Sequence, residues 1–496
     1  MIAQGFALVA GAFMCYAIAK AIQRIYFHPL AKIPGPKLAA ATQCYEMYFD
    51  LIQQARMPWQ LEALHARYGP IVRFAPNEVH INDPSFTSTF FSSGSAIKMN
   101  KYDYHALQFG MPESTFNTCD ADVHKIRRGA LNPFFSRKSI NALEPMIAEK
   151  VEKVSSRLQE FKQNQTPLDL RLLFSCFTSD VISDYCFPKC FDYLSTDDLA
   201  PWWRNSFAEG LRNFQWLKHF PGLWIIMRAI PYDVLNKVSP KVAITLNWDN
   251  SNKILVRDLI DSYDDRKDQE QTVTIFNELL TSDLPPHEKS YERLWQEGSA
   301  MIGAGVETTS NTLTTALYWL TQRPEALARL KAELETAMPN PDLLLPWAKL
   351  ETLPYLSAVI KEALRSAGGF SSRMVRVPQN APLRYKNYVL PPGTAIGMSQ
   401  KLLSRHPDLF DTPHEFDPER WLTKNGPADL YSFGRGPRMC VAQNLAYAEL
   451  YLALAAIVRR FNLQLFQTDY SDIECVCDAF FPMPRSDTKG VQVLVT

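Results

Sequence analysis

The amino-acid sequence predicts a mainly α-helical protein with a smaller β part, and three features of its 496 residues predict it. From Ala121 to about Ala337, apolar residues recur at helical spacing, with breaks at Pro188, Pro221-Gly222 and Pro285-Pro286. After Phe370 the texture changes to short runs such as "APLRYKNYVLPPGTAIGMS" and to loops rich in Pro and Asp. Helical periodicity then returns from Val441 to about Arg459.

In chain order, the first element is apolar throughout. "IAQGFALVAGAFMCYAIA", Ile2 to Ala19, carries no charge and is followed by Lys20, Arg24, Lys32 and Lys37. Its length lies at the short end of the roughly 17–25 residues that span a bilayer as a helix. A cleaved signal peptide would place a basic residue ahead of the apolar run, whereas here the basic residues follow it. Residues 1–24 therefore read as a transmembrane signal anchor. The positive-inside rule directs the N-terminus to the lumen and the remainder to the cytosol. "FHPLAKIPGPKLAA" is too proline-rich for a helix, so residues 25–40 are expected to form a stiff connector. "PWQLEALHARYGP" predicts a helix stopped at Gly69-Pro70, and "IVRFAPNEVHIND" two short strands in hairpin order.

Length alone suggests about three domains. The motifs below are spread along the chain around one site, which favours a single domain over residues 41–496. Lys plus Arg number 52, Asp plus Glu also 52, and there is no long basic run, which argues against a nucleic-acid partner. Nine cysteines is an odd count without a disulfide-like framework. The close pairs Cys186/Cys190 and Cys475/Cys477 lack the second pair and the histidines of a zinc site. A reducing compartment fits.

The chemistry gathers at "SFGRGPRMCVAQNLAYAEL", residues 432–450. Cys440 lies just before a helix, where free N–H groups and the helix dipole favour a thiolate. Gly434 and Gly436 let the backbone come close to a flat ligand, Pro437 stiffens the turn, and Arg438 can reach an anion. A lone cysteine is usually a small buried hydrophobe. The whole string, however, resembles the haem-binding signature of the cytochrome P450 superfamily. Phe433, Gly436, Arg438 and Cys440 occupy its places, and Ala442 stands where that family has glycine. The resemblance implies the cytochrome P450 fold and haem b, with Cys440 as the axial thiolate of its iron. One thiol then suffices, because the porphyrin supplies the other ligands.

A second string, "WQEGSAMIGAGVETTSNTLTTALYWL", is a long apolar helix with Gly303 and Gly305 inside it. Each glycine costs about 1 kcal/mol against alanine there, and a local rule broken in mid-helix points to function. The string resembles the family's oxygen-activating motif, with Ala304, Gly305, Val306, Glu307, Thr308 and Thr309 in place. Thr308 can bond the Ala304 carbonyl one turn back, or release it and open a groove for O2 and water. Glu307 and Thr308 are then the expected proton relay.

Smaller matches follow the same resemblance. Glu362 and Arg365 in "KEALR" read alone as a surface pair; the family pattern makes them a buried pair completed by Arg420 of "FDPERW", a structural triad bracing the thiolate loop. Arg128 and His124, in "HKIRRGALNPFF", and Arg376 join Arg438 as expected partners of the haem propionates. By family position the 94–120 loop, Met301, Ala304, residues 369–372 with Phe370, and Phe480 and Phe481 face substrate; apolar residues there could equally be core.

The resemblance as a whole, with the N-terminal anchor, is to microsomal members, especially fungal ones of secondary metabolism. It implies a single-pass endoplasmic reticulum protein with a cytosolic catalytic domain. Such a protein would hydroxylate or epoxidise a lipophilic small molecule, a terpenoid or polyketide, with O2 and NADPH-derived electrons. The chain carries no flavin- or nucleotide-binding motif, so NADPH-cytochrome P450 reductase is the implied partner, with cytochrome b5 as a second donor. Lys125, Arg127 and Arg435 read equally as docking charges for that reductase and as ordinary surface charges. Two rivals remain open: a haem-thiolate isomerase or dehydratase that needs no O2, against which the intact Glu307-Thr308 pair argues, and a non-enzymatic haem sensor, for which no output domain is visible.

Overall fold

The computed structural model describes residues 2–92, 97–265, 274–423, 426–427 and 430–496. Helix α1 (Ile2–Tyr26) is exposed over almost its whole length. Its stretch from Gln4 to Tyr26, 23 residues of mean hydropathy 1.8, is long and apolar enough to cross a membrane. The prolines that follow end it, and a short Ala-rich helix, Lys37–Ala41, occupies the end of the expected connector. Two arginines tie this entry to the rest: Arg24 donates to the Ala41 carbonyl, and the buried Arg73 donates to the Arg24 carbonyl, each at 2.9 Å.

Helix α2 (Met57–Tyr68) stops at Gly69, whose φ of +92° is costly for any other residue. Strands β1 (Ile71–Ala75) and β2 (Glu78–Ile81) then form the expected antiparallel hairpin. With β3 (Met99–Lys101), β4 (Met374–Pro378) and β5 (Ala395–Met398) they make a five-stranded sheet of order β1-β2-β5-β4-β3. Only the β2-β5 pair is parallel. The register of β3 on β4 sets Lys101 directly opposite Arg376.

Helices supply the larger part. In chain order they include α3 (Ala121–Leu131), α4 (Arg137–Asn164), α5 (Leu170–Cys186), α6 (Pro201–Arg212), α7 (Phe214–His219), α8 (Tyr291–Gln322), α9 (Pro354–Ala367) and α10 (Gln443–Arg460). Helix α8 is the axis of the molecule, 32 residues that extend about 48 Å at 1.5 Å each. Its N-cap Ser290 accepts from the Arg293 amide. Helices α5, α9 and α10 pack around it in one large core with α4. A Cβ on Gly305 would lie 3.3 Å from Cγ1 of Ile182 in α5, so this glycine has a packing reason besides any chemical one.

The tight pair of strands β6 (Cys477–Ala479) and β7 (Phe481–Met483) projects Phe480 from its turn. All nine cysteines are unpaired.

Candidate active site

One central cavity lies between α8 and the loop before α10, closed on its other sides by α3, the segment leading into β4, and the β6-β7 turn. His124, Arg128, Met301, Ala304, Glu307, Thr308, Phe370, Arg376, Phe433, Arg438, Cys440, Phe480 and Phe481 all contribute to its wall, so residues far apart in sequence meet where the motifs predicted. Of the expected 94–120 loop, residues 94–96 lie outside the described residues; Phe109, Thr115 and Phe116 line the cavity.

The loop that presents Cys440 is shaped by two glycines of positive φ, Gly434 at +65° and Gly436 at +71°. A Cβ on Gly436 would fall 1.9 Å from the Phe91 carbonyl oxygen, so no side chain fits there. The Cys440 amide donates to the Phe433 carbonyl at 2.8 Å, closing the loop. Ala442 has φ −90°, open to any residue, so alanine in the glycine position carries no strain. The thiol does not behave as its place before a helix suggested. Burial pushes it above its ordinary value, against the pull of the Ala442 N–H and Arg128. Desolvation outweighs both, so the thiol form is favoured here, and a bound metal ion would favour the thiolate.

Four cations ring the same cavity. The described hydrogen bonds of Lys101, Arg128, Arg376 and Arg438 run only to carbonyl and side-chain amide oxygens: Phe116 and Asn117, Met439 and Asn132, Val375, and Thr118 and Cys119 respectively. Burial, then mutual repulsion, draws Arg376 down to about 9, and burial draws Arg438 to about 10. Lys101 falls well below its ordinary value for the same two reasons. Burial and the neighbouring arginines lower His124 to about 3, so it is neutral. Half-buried cations clustered without carboxylate partners repel one another and favour a ligand that brings anions. A dianionic group whose metal takes a thiolate fits this donor set: the four cations would hold the carboxylates of a haem, and Cys440 its iron. Lys101 had no recognisable pattern around it and appears only through its register against Arg376.

Across the cavity, Thr308 Oγ1 donates to the Ala304 carbonyl at 2.9 Å, and Ala304 is open to the cavity on an otherwise buried helix. Glu307 differs from its expected posture. Its carboxylate is buried, with Oε2 accepting from Arg171 of α5 at 2.9 Å. Arg204 of α6 lies 3.0 Å from Oε1, but out of hydrogen-bond alignment, leaving that oxygen without a hydrogen bond. Burial raises the carboxyl, but Arg204 and Arg171 outweigh it and hold the group below its ordinary value. Glu307 is therefore an ion restrained by two arginines, not a standing acid. Behind Thr309, Glu449 of α10 is the opposite case: burial raises it to about 8, with the Thr309 hydroxyl as its partner. Nothing in the sequence around Glu449 separated it from a surface glutamate.

The triad assembles. Arg365 grips Glu362 with Nε at 2.9 Å and Nη2 at 2.7 Å, and Arg420 Nε reaches Oε1 at 3.3 Å. Both arginines also donate to carbonyls between Ser404 and Glu415, and Ser432 Oγ donates to the Leu364 carbonyl, tying the thiolate loop to α9. Of the three suggested docking charges, Arg127 is corrected. It is 8% exposed and paired with Glu288 at 2.8 Å and Glu113 at 2.7 Å, because its face of α3 turns inward. Lys125 is exposed, and Arg435 is half-buried over the Tyr431 ring.

Comparison with known proteins identifies the family. The family model described as Cytochrome P450 matches residues 43–484. Cytochrome P450 monooxygenase sdnE of Sordaria araneosa is 38% identical over 502 residues, covering 98% of this chain and 96% of the relative. Tryptophan 6-hydroxylase fscE of Fusarium equiseti is 38% identical over 497 residues, 99% and 97% respectively. Cytochrome P450 monooxygenase TRI4 of Fusarium sporotrichioides is 36% identical over 490 residues, 98% and 94%.

Proposed function

This chain belongs to the cytochrome P450 family and is a haem-dependent monooxygenase, and on that premise we propose that it oxygenates a lipophilic secondary metabolite at a membrane surface. The terpenoid and polyketide classes suit its apolar cavity wall. Electrons come from NADPH through a separate reductase, which docks on the face that carries Lys125. Helix α1 anchors the chain in the endoplasmic reticulum, with the catalytic part in the cytosol.

The observation that carries the reading is the meeting of Cys440 and Thr308 in the wall of one cavity, with four half-buried cations without carboxylate partners around it. Haem bound to a thiolate supplies O2 activation. The protein's residues do the rest. Cys440 would hold the iron, and Lys101, Arg128, Arg376 and Arg438 would bind the haem carboxylates. The Phe-rich wall excludes water from the substrate side. Thr308, by leaving the Ala304 carbonyl, frees a hydroxyl and a backbone acceptor that together hold one water at the oxygen-binding face. Glu307, whose Oε1 carries no hydrogen bond, would pass protons toward that water.

The test is metabolite comparison with and without the gene, followed by turnover of the accumulated compound with reductase and NADPH. A product one oxygen richer, formed only with O2 and NADPH, is expected. Conversion that proceeds without O2 would transfer the protein to the isomerase or dehydratase class. Alkali extraction of full-length protein from membranes would show that α1 is not an integral anchor.

A further inference from the structure

Resting on the monooxygenase reading, we propose that the substrate is a neutral, flat aromatic compound rather than a saturated terpenoid or a charged amino acid. The wall opposite the thiolate loop is a connected set of phenylalanine rings. Phe480 is its hub, with ring centroids 4.8 Å from Phe109, 5.6 Å from Phe116, 4.4 Å from Phe370 and 5.2 Å from Phe481. Three of these four contacts are edge-to-face or nearly so, at 81°, 78° and 82°, the arrangement that leaves ring faces and ring edges alternating along a surface. A planar aromatic guest meets complementary edges and faces there; a saturated ring system offers only hydrogens of one polarity.

The hub is held at some expense. Phe480 has φ +70°, a left-handed conformation that glycine adopts freely and a large side chain does not. Its amide donates to Asp478 Oδ1 at 3.1 Å and its carbonyl accepts from the Ser371 amide at 3.0 Å, so both neighbours of the turn lock the strained residue in place. These backbone hydrogen bonds fix the turn from which the Phe480 ring reaches the cavity wall.

Lys101, 3.8 Å over the Phe116 ring, is the cation that the proposed haem carboxylates would occupy, and the other charges named here are answered within the protein. Glu297 is held by Arg293 and by Thr115, whose amide and hydroxyl donate at 2.9 and 2.8 Å. Arg373 is held by Glu46 and Glu78. The Ser372 hydroxyl donates to Asp478 at 2.7 Å. A carboxylate or ammonium on the guest would be desolvated without a partner, which disfavours it strongly.

The experiment uses haem-loaded full-length protein and reads the low-to-high-spin shift with naphthalene, with decalin, its saturated skeleton, and with 2-naphthoate. The ratio of decalin to naphthalene Kd should fall at least threefold in Phe480→Leu, which keeps apolar bulk and removes the ring. Should that variant lack a thiolate-type carbon monoxide spectrum, Phe370→Leu is read instead. Naphthoate should bind at least tenfold more weakly than naphthalene. A ratio that falls by less than threefold, naphthoate binding within tenfold of naphthalene, or no shift with naphthalene overturns the proposal. Loss of the thiolate-type spectrum in the wild type would instead refute the monooxygenase reading on which it rests.

Discussion

Lys101 and Arg376 stand directly opposite each other on paired antiparallel strands, two half-buried cations facing one cavity. Like charges so placed destabilise a sheet by about 0.2–1 kcal/mol. An anion in the cavity would offset this repulsion, and on our proposal the haem carboxylates would supply it. Lys101→Gln should therefore have opposite effects in two states. Haem-free protein should unfold at a higher temperature than the haem-free wild type. The haem-loaded variant should lose haem faster, since a charged hydrogen bond of about 1.5–3 kcal/mol is gone. Thermal midpoints of both forms and the rate of haem transfer to an acceptor protein check this; a variant less stable in both states would contradict it.

Thr308 and the Ala304 carbonyl form the groove's closed state. Thr308→Ala should still bind substrate and accept electrons, but lose coupling, so that NADPH is consumed while hydrogen peroxide replaces product. A positioned proton donor contributes about 10²–10⁴ to the step it serves. Product per NADPH should thus fall far more than substrate affinity changes, and Thr308→Ser should recover much of it. Equal product per NADPH in wild type and Thr308→Ala would remove Thr308 from the relay.

Glu307 joins stability to turnover. In Glu307→Gln the buried Arg171 and Arg204 lose their shared counter-charge, at a cost of about 3–5 kcal/mol. The variant should melt earlier and turn over more slowly, with an enlarged solvent deuterium isotope effect. Adding Arg204→Gln should restore part of the stability and none of the turnover. Recovery of turnover in the double variant would reduce Glu307 to a structural role.

Glu449 sets a pH dependence. Held at about 8 by burial, it keeps a proton in the folded chain that an unfolded glutamate, with its ordinary value of 4.5, has released. Between about pH 5 and pH 8 the folded state binds more protons, so stability falls as pH rises through that window. Glu449→Gln is neutral throughout and lacks this slope. Its thermal midpoint should drop less than the wild type's between about pH 6 and about pH 8. Equal drops would mean that the wild-type carboxyl titrates near its ordinary value.

What the sequence disclosed follows from distance along the chain. The Cys440 loop, the Glu307-Thr308 turn and the β1-β2 hairpin are local patterns, and local backbone chemistry such as the positive φ of Gly434 and Gly436 made them legible. Partners set by tertiary register were not. Lys101 finds Arg376 only because β3 lies on β4, and Glu307 finds Arg171 and Arg204 only because α5 and α6 pack over α8. Arg127 reads in the sequence as a candidate docking charge because it is a polar residue on a helix; which face that helix buries is decided by Glu113 in the preceding loop and by Glu288, 161 residues away. Gly305 looked purely chemical until Ile182 supplied a packing reason.

The central claim is that Cys440 is the thiolate on the haem iron, and the reduced carbon monoxide complex reads that bond directly. Wild-type protein should show the long-wavelength Soret band of thiolate ligation. Cys440→Ala should lose it, and Cys440→His should keep haem while shifting the band to that of an imidazole-bound complex. Changing Cys186, Cys190, Cys475 or Cys477 should leave the band in place. A Cys440→Ala protein that retains the thiolate band would contradict the account.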